Sequence, residues 1–112
     1  MFRSTLVVAI FLSSLSALCS ARCIMCPNCD SNGCLAQWTC DNATMTMGCY
    51  YPSSDASGYD LCYYTITEEG GTFLSGPSAC RGYGGIDSKC ENPKDVYFWG
   101  YGCVAASGTV TS

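Results

Sequence analysis

Eleven cysteines and no histidine in 112 residues constrain this chain more than any other feature. Cysteine at such density marks small domains that are held together by disulfides because their apolar core is too small to do so alone. Cys19 lies in a segment that reads as a removable leader. That segment has a basic start at Arg3, an apolar stretch over residues 6–18 broken only by serines, and the small residues Cys19, Ser20 and Ala21. Cleavage after Ala21, or after Cys19 with Ala17 upstream, removes Cys19 either way. The remaining ten, Cys23, Cys26, Cys29, Cys34, Cys40, Cys49, Cys62, Cys80, Cys90 and Cys103, form an even set and are expected to pair as disulfides. The apolar run falls short of the roughly 20 residues a membrane helix needs. A secreted, extracellular protein with no membrane span in its mature form is therefore expected.

The division expected along the chain is a signal peptide over residues 1–21 and a single disulfide-rich domain over residues 22–112. Within that domain, residues 22–43 read as a cysteine-dense loop segment, residues 44–104 as a β-meander and residues 105–112 as a flexible tail. Few large aliphatic residues follow the leader, so aromatic side chains and cystines must fill the core. Four basic residues (Arg22, Arg81, Lys89 and Lys94) face nine acids in residues 22–112, a net charge of −5. A nucleic acid or an anionic membrane needs a basic face, and four scattered cations do not make one.

Residues 23–40 (CIMCPNCDSNGCLAQWTC) hold five cysteines among Pro, Asn, Asp and Gly, which is turn composition. Beyond them strands become legible. Met45, Met47, Cys49 and Tyr51 alternate with Thr44, Thr46, Gly48 and Tyr50 at the period of a strand, and residues 59–67 (YDLCYYTIT) are rich in β-branched and aromatic residues. The EEGG of residues 68–71 is a tight connection into residues 72–74. Residues 96–104 read as one further strand, with Tyr97, Trp99, Tyr101 and Cys103 on one face and Val96, Phe98 and Val104 on the other. An echo between residues 48–51 (GCYY) and 61–64 (LCYY) suits two adjacent antiparallel strands. The fold class expected is small, disulfide-rich and mainly β: an antiparallel meander of three to four strands with an irregular N-terminal cysteine-rich segment.

Short-spaced cysteines from Cys23 to Cys34 imitate a zinc or iron–sulfur site, but behind a leader and without histidine they read as disulfides, and neither metal nor cofactor is expected. Asn28, Asp30, Asn32 and Gly33 open like a calcium loop, yet its twelfth position is Thr39 and not the bidentate Glu, so Asx turns account for them. Asn42-Ala43-Thr44 is an N-glycosylation sequon, placing Asn42 at an exposed site. The missing histidine removes the usual general base and leaves only carboxylate chemistry. Of the acids, Glu68 and Glu69 read as solvated turn charges, and Asp87, Glu91 and Asp95 as loop charges compensated by lysines.

The leader, the ten cysteines, the acidic charge, GCYY over residues 48–51 and LCYYTITEEGGTFLSGPSAC over residues 61–80 resemble small secreted cysteine-rich proteins of fungi, of the basidiomycete type. The resemblance covers residues 49–80 and implies an effector-like, environment-facing role without catalytic residues. The expected function is a secreted, disulfide-stabilised binding or interaction protein with no catalytic activity, whose partner is an extracellular protein or polysaccharide. A carbohydrate-binding or wall-associated module and a small carboxylate-based hydrolase are the alternatives. Tyr97, Trp99 and Tyr101, or else the paired Tyr50, Tyr51, Tyr63 and Tyr64, form the candidate binding face, since Tyr and Trp combine contact area with a polar handle.

Overall fold

The computed structural model describes residues 22–54 and 58–110; the leader and its Cys19 lie outside them, as do the last two residues of the expected tail. Nine strands follow one another: β1 Cys23–Met25, β2 Gln37–Asp41, β3 Thr46–Pro52, β4 Tyr59–Thr67, β5 Gly70–Ser75, β6 Tyr83–Asp87, β7 Asp95–Phe98, β8 Gly102–Cys103 and β9 Ser107–Thr109. They form one antiparallel sheet in the order β8-β7-β1-β6-β5-β4-β3-β2-β9. This corrects the expected meander of three to four strands. The meander exists as β2 to β5, but short strands from the supposedly irregular N-terminal segment and from the C-terminal end extend it on both sides. A second correction concerns residues 96–104, which are not one strand. The chain turns over residues 99–101, with Gly100 and Gly102 at φ of 89° and 103°, and returns as β8. Few L-residues adopt those angles, so the glycines place the turn there.

The sheet is curled. Strands β8 and β9 stand at opposite ends of the strand order, yet only residues 104–106 connect them. So short a link brings the two edges together, and Cys40 of β2, bonded to Cys103 of β8, closes the gap covalently. The Cys103 amide also donates to Asn42 Oδ1 at 2.9 Å, and the Cys40 amide to the Ala106 carbonyl at 2.9 Å. The concave side carries the core: Trp38, Met47, Cys49, Tyr51, Cys62, Tyr64 and Ile66 meet Ile24, Val96 and Tyr97. In β4 the alternation of buried Asp60, Cys62, Tyr64 and Ile66 with outward Tyr59, Leu61, Tyr63 and Thr65 is regular. Cys49 lies directly across from Cys62, as the GCYY/LCYY echo implies. Each is nonetheless bonded elsewhere.

All ten described cysteines are paired: Cys23–Cys90, Cys26–Cys49, Cys29–Cys34, Cys40–Cys103 and Cys62–Cys80. The dense N-terminal run is thus bonded to β3, to β8 and to the loop before β7, and its residues 29–34 form their own bridged turn. Inside the curl, the two core tyrosines keep their hydroxyls satisfied. Tyr51 donates to the Pro27 carbonyl at 2.6 Å and Tyr64 to the Arg81 carbonyl at 2.7 Å. Burial raises both phenols, that of Tyr64 to about 12, so both remain donors across the physiological range.

Room for Met47 comes from two glycines. Gly71 of β5 pairs with Gly84 of β6, and a Cβ on Gly84 would stand 2.7 Å from Met47 Cε and 2.9 Å from the Met25 carbonyl oxygen. The backbone carbonyl cannot yield as a flexible side chain could. Gly84→Ala is expected to destabilise the fold by about 2 kcal/mol through overpacking, measured as a lowered urea midpoint at unchanged m-value. An unchanged midpoint would contradict this packing.

Candidate functional site

Three features merit a functional reading: the outer face of β2, β3 and β4, two pairs of aspartates, and an open cavity beside β1 and β6. On the outer face, pairing sets the side chains in rows, because residues opposite one another in an antiparallel sheet project to the same side. Gln37, Tyr50 and Leu61 form one row, Thr39, Gly48 and Tyr63 the next, and Asp41, Thr46 and Thr65 a third. Pro52 opposite Tyr59 begins the series. The rings of Tyr50 and Tyr59 meet edge to face with centroids 6.3 Å apart. Gly48 has a reason to be glycine: a Cβ there would lie 2.7 Å from Thr39 Oγ1 and 3.3 Å from Tyr63 Cε1. Tyr63 therefore lies across the strand at Gly48, and it remains 37% exposed; Tyr59 is 56% exposed. The third row continues through Thr72 to Tyr83.

This face carries almost no charge. Among the outward residues of β2, β3 and β4 only Asp41 is ionisable as an acid or base of ordinary pH, and its Oδ1 accepts the Ala43 amide of its own turn at 2.9 Å. Glu68 and Glu69 occupy the turn beyond the far end of β4.

The first aspartate pair is Asp30 and Asp60. Asp30 Oδ1 accepts the amides of Asn32 and Gly33 at 2.8 and 2.9 Å, the Asx turn read from the sequence. Its Oδ2 is buried without a hydrogen-bond partner. Asn32 Nδ2 donates to Asp60 Oδ2 at 2.9 Å, and this bond foremost, with contact from Asp30, holds the Asp60 carboxyl below the usual range.

The second pair, Asp87 and Asp95, organises the loop before β7. Asp87 Oδ1 accepts the Lys89 amide, and its Oδ2 the amides of Glu91 and Asn92. The Asn92 amide foremost keeps the Asp87 carboxyl below its ordinary value. This wrapping holds Cys90 at φ of 54°, from which it bonds Cys23 of β1. Asp95 is only 6% exposed, and neither carboxyl oxygen has a donor. Burial first, and then the Asp87 carboxyl beside it, raise Asp95 to about 6. The lysines of this loop do not compensate these charges as ion pairs; Lys89 and Lys94 contribute backbone amides, to Asp87 and to Asn92 Oδ1.

The cavity, ≈ 400 Å³, is bounded by Met25, Pro27, Asn28, Arg81 and Tyr83. Arg81 Nε donates to the Cys29 carbonyl at 3.2 Å, which ties the guanidinium to the Cys29–Cys34 turn.

The side chains read from the sequence as a binding face are distributed differently. Tyr97 is buried at 8% exposure, Trp99 is half-buried against it with centroids 5.9 Å apart, and Tyr101 is 75% exposed in the turn. Asn42, the sequon residue, is exposed in the turn between β2 and β3, where its Oδ1 caps Cys103. The second tyrosine set is divided by strand alternation, which sends Tyr50 and Tyr63 outward and Tyr51 and Tyr64 into the core. No group of three or more acidic, cysteine or histidine side chains among the described residues is placed to hold a metal ion. Among the same residues no helix is long and apolar enough to cross a membrane. No protein family, no curated protein and no solved structure matches the chain.

Proposed function

We propose that this is a secreted, disulfide-stabilised binding protein that acts through the outer face of β2, β3 and β4 and not by catalysis. Five bridges in a chain of this size are typical of extracellular proteins. The observation that carries the reading is the contrast between its acids and its aromatics. Asp30, Asp60 and Asp95 are buried and Asp87 is half-buried, the members of each pair are in contact, and backbone amides engage Asp30 and Asp87, whereas glycosidase carboxyls face one another across about 5–9.5 Å of open space. The outward tyrosines, by contrast, reach solvent: Tyr59 and Tyr63 are exposed and Tyr50 half-buried, with Tyr50 and Tyr59 edge to face and Tyr63 lying over Gly48.

Hydroxyl-radical footprinting of the oxidised protein, with and without an extracellular matrix fraction, tests this. Protection is expected at Tyr50, Tyr59 and Tyr63. Turnover of a matrix polymer that is abolished by Asp95→Asn would overturn it. The secreted form is expected to begin at Arg22 or Ser20 and to weigh ten hydrogens less than its reduced chain, as five bridges require. A glycan at Asn42 would add its own mass increment.

A further inference from the structure

We infer that the ligand of this face is an uncharged polysaccharide, laid flat across β2, β3 and β4; the inference rests on the binding reading above and names the ligand class for it. Three observations converge. First, the two rows that carry the rings, Gln37–Tyr50–Leu61 and Thr39–Gly48–Tyr63, hold no charged side chain; the acids of this face are Asp41 in the third row and Glu68 and Glu69 in the turn beyond β4. A polyanion would find no cation there, and the net charge of −5 over residues 22–112 would repel it. Second, Tyr63 lies across Gly48 and Tyr59 stands beside Tyr50, which offers ring surface at two positions on one strand. Positions four residues apart along a strand are separated by about 13 Å, a span that an extended polymer covers and a single small molecule does not. Third, although Leu61 lies between Tyr59 and Tyr63 on β4, the rings are flanked on β2 by Gln37 and Thr39 and in the next row by Thr46 and Thr65, side chains that both donate and accept hydrogen bonds. Sugar hydroxyls have the same dual character.

A protein partner fits the face less well. Tight protein interfaces centre on an anchor side chain buried in a pocket, and this surface is a sheet whose glycine position is already filled by Tyr63. The face also differs from the set Tyr97, Trp99 and Tyr101, of which only Tyr101 is well exposed.

The test is co-sedimentation of the oxidised full-length mature chain with insoluble chitin, cellulose and β-1,3-glucan, with polygalacturonate as the charged control, at low and high salt. Retention on at least one uncharged polymer is expected, insensitive to salt and absent on polygalacturonate. Tyr59→Ala/Tyr63→Ala should weaken it by about tenfold or more, while Tyr59→Phe/Tyr63→Phe, which keeps the rings, and Tyr101→Ala, on the other turn, should retain it. Should the alanine pair fail to form five bridges, Thr39→Glu with Thr65→Glu reads the same surface by adding charge, and it too should abolish retention. Failure to bind every uncharged polymer, or retention indifferent to both pairs of changes, overturns the ligand class. If Tyr59 and Tyr63 then prove necessary for capturing a protein, the polysaccharide inference falls and the binding reading stands. If no ligand of any kind depends on them, both fall.

Discussion

Replacing Cys40 and Cys103 together by alanine is expected to remove about 4 kcal/mol of stability, whereas the same change at Cys29 and Cys34 removes about 2 kcal/mol. The difference follows from loop length. The first bridge closes a separation of 63 residues and the second one of 5, so the first removes far more freedom from the unfolded chain. Position in the fold acts in the same direction. Cys40–Cys103 joins β8 to β2 where the curled sheet meets itself, and the last strand, β9, is only three residues long. Without the bridge, β8 and β9 retain few bonds to the rest of the sheet. With small domains stable by only about 5–15 kcal/mol, the Cys40/Cys103 variant should show a much lower urea midpoint. Its amides at residues 102–109 should also exchange faster than those of β4. Equal losses for the two variants, or unchanged exchange at β8 and β9, would contradict this account of the closure.

Stability is expected to peak in mild acid and to fall as pH rises from 3.8 to about 6. Asp95 sits at about 6 in the folded chain against an ordinary 3.8, so the fold holds its proton more tightly than the unfolded chain does. Its contribution is therefore fully present below 3.8 and is lost as pH rises through about 6, up to about 3 kcal/mol in all. Asp87 and Asp60 act oppositely. Their carboxyls are held below the ordinary value, so the stability they confer is present above it and lost as pH falls. The optimum lies near 3.8, where these opposed windows meet. The ionisable neighbour that matters to Asp95 is Asp87; β1 and β8, on either side of β7, offer only disulfide-bonded cysteines, and Lys89, Glu91 and Lys94 lie in the loop. Thermal unfolding from pH 3 to 8 should show a midpoint lower at pH 8 than at pH 5 by on the order of 10 °C. Asp95→Asn, which cannot ionise and can still donate to Asp87, should abolish that alkaline decline. A flat profile in the parent protein, or an unchanged decline in Asp95→Asn, would remove Asp95 as its source.

The misreading of Asp95 shows where sequence stops being informative. In a run of Lys, Asn, Pro and Glu an aspartate reads as solvated, and nothing in the local pattern shows that it opens a strand packed beside Asp87. Strand β4, by contrast, matched its sequence reading over its whole length, because nine alternating residues record which side faces the core. Strands β1, β6, β8 and β9 have two to five residues, too few for any period to show, and β6 contains two glycines in YGGID. Their partners define them. The candidate face was half legible: the tyrosine pairs were visible, but their separation into core and surface needed the register of β3 against β4.

The sequence by itself determined that this chain is small, mainly β and dependent on disulfides, and it identified which ten cysteines would be used. Those conclusions rest on composition and short-range alternation, which survive in any arrangement of the chain. Only the tertiary structure decided which cysteine bonds which, that nine strands curl until β8 and β9 approach, and that Tyr59 and Tyr63 face outward while Tyr97 is buried. Each of these depends on contacts between residues far apart in sequence, such as Cys40 with Cys103 or Cys23 with Cys90, whose partners are selected by the closure of the sheet and not by their neighbours in the chain.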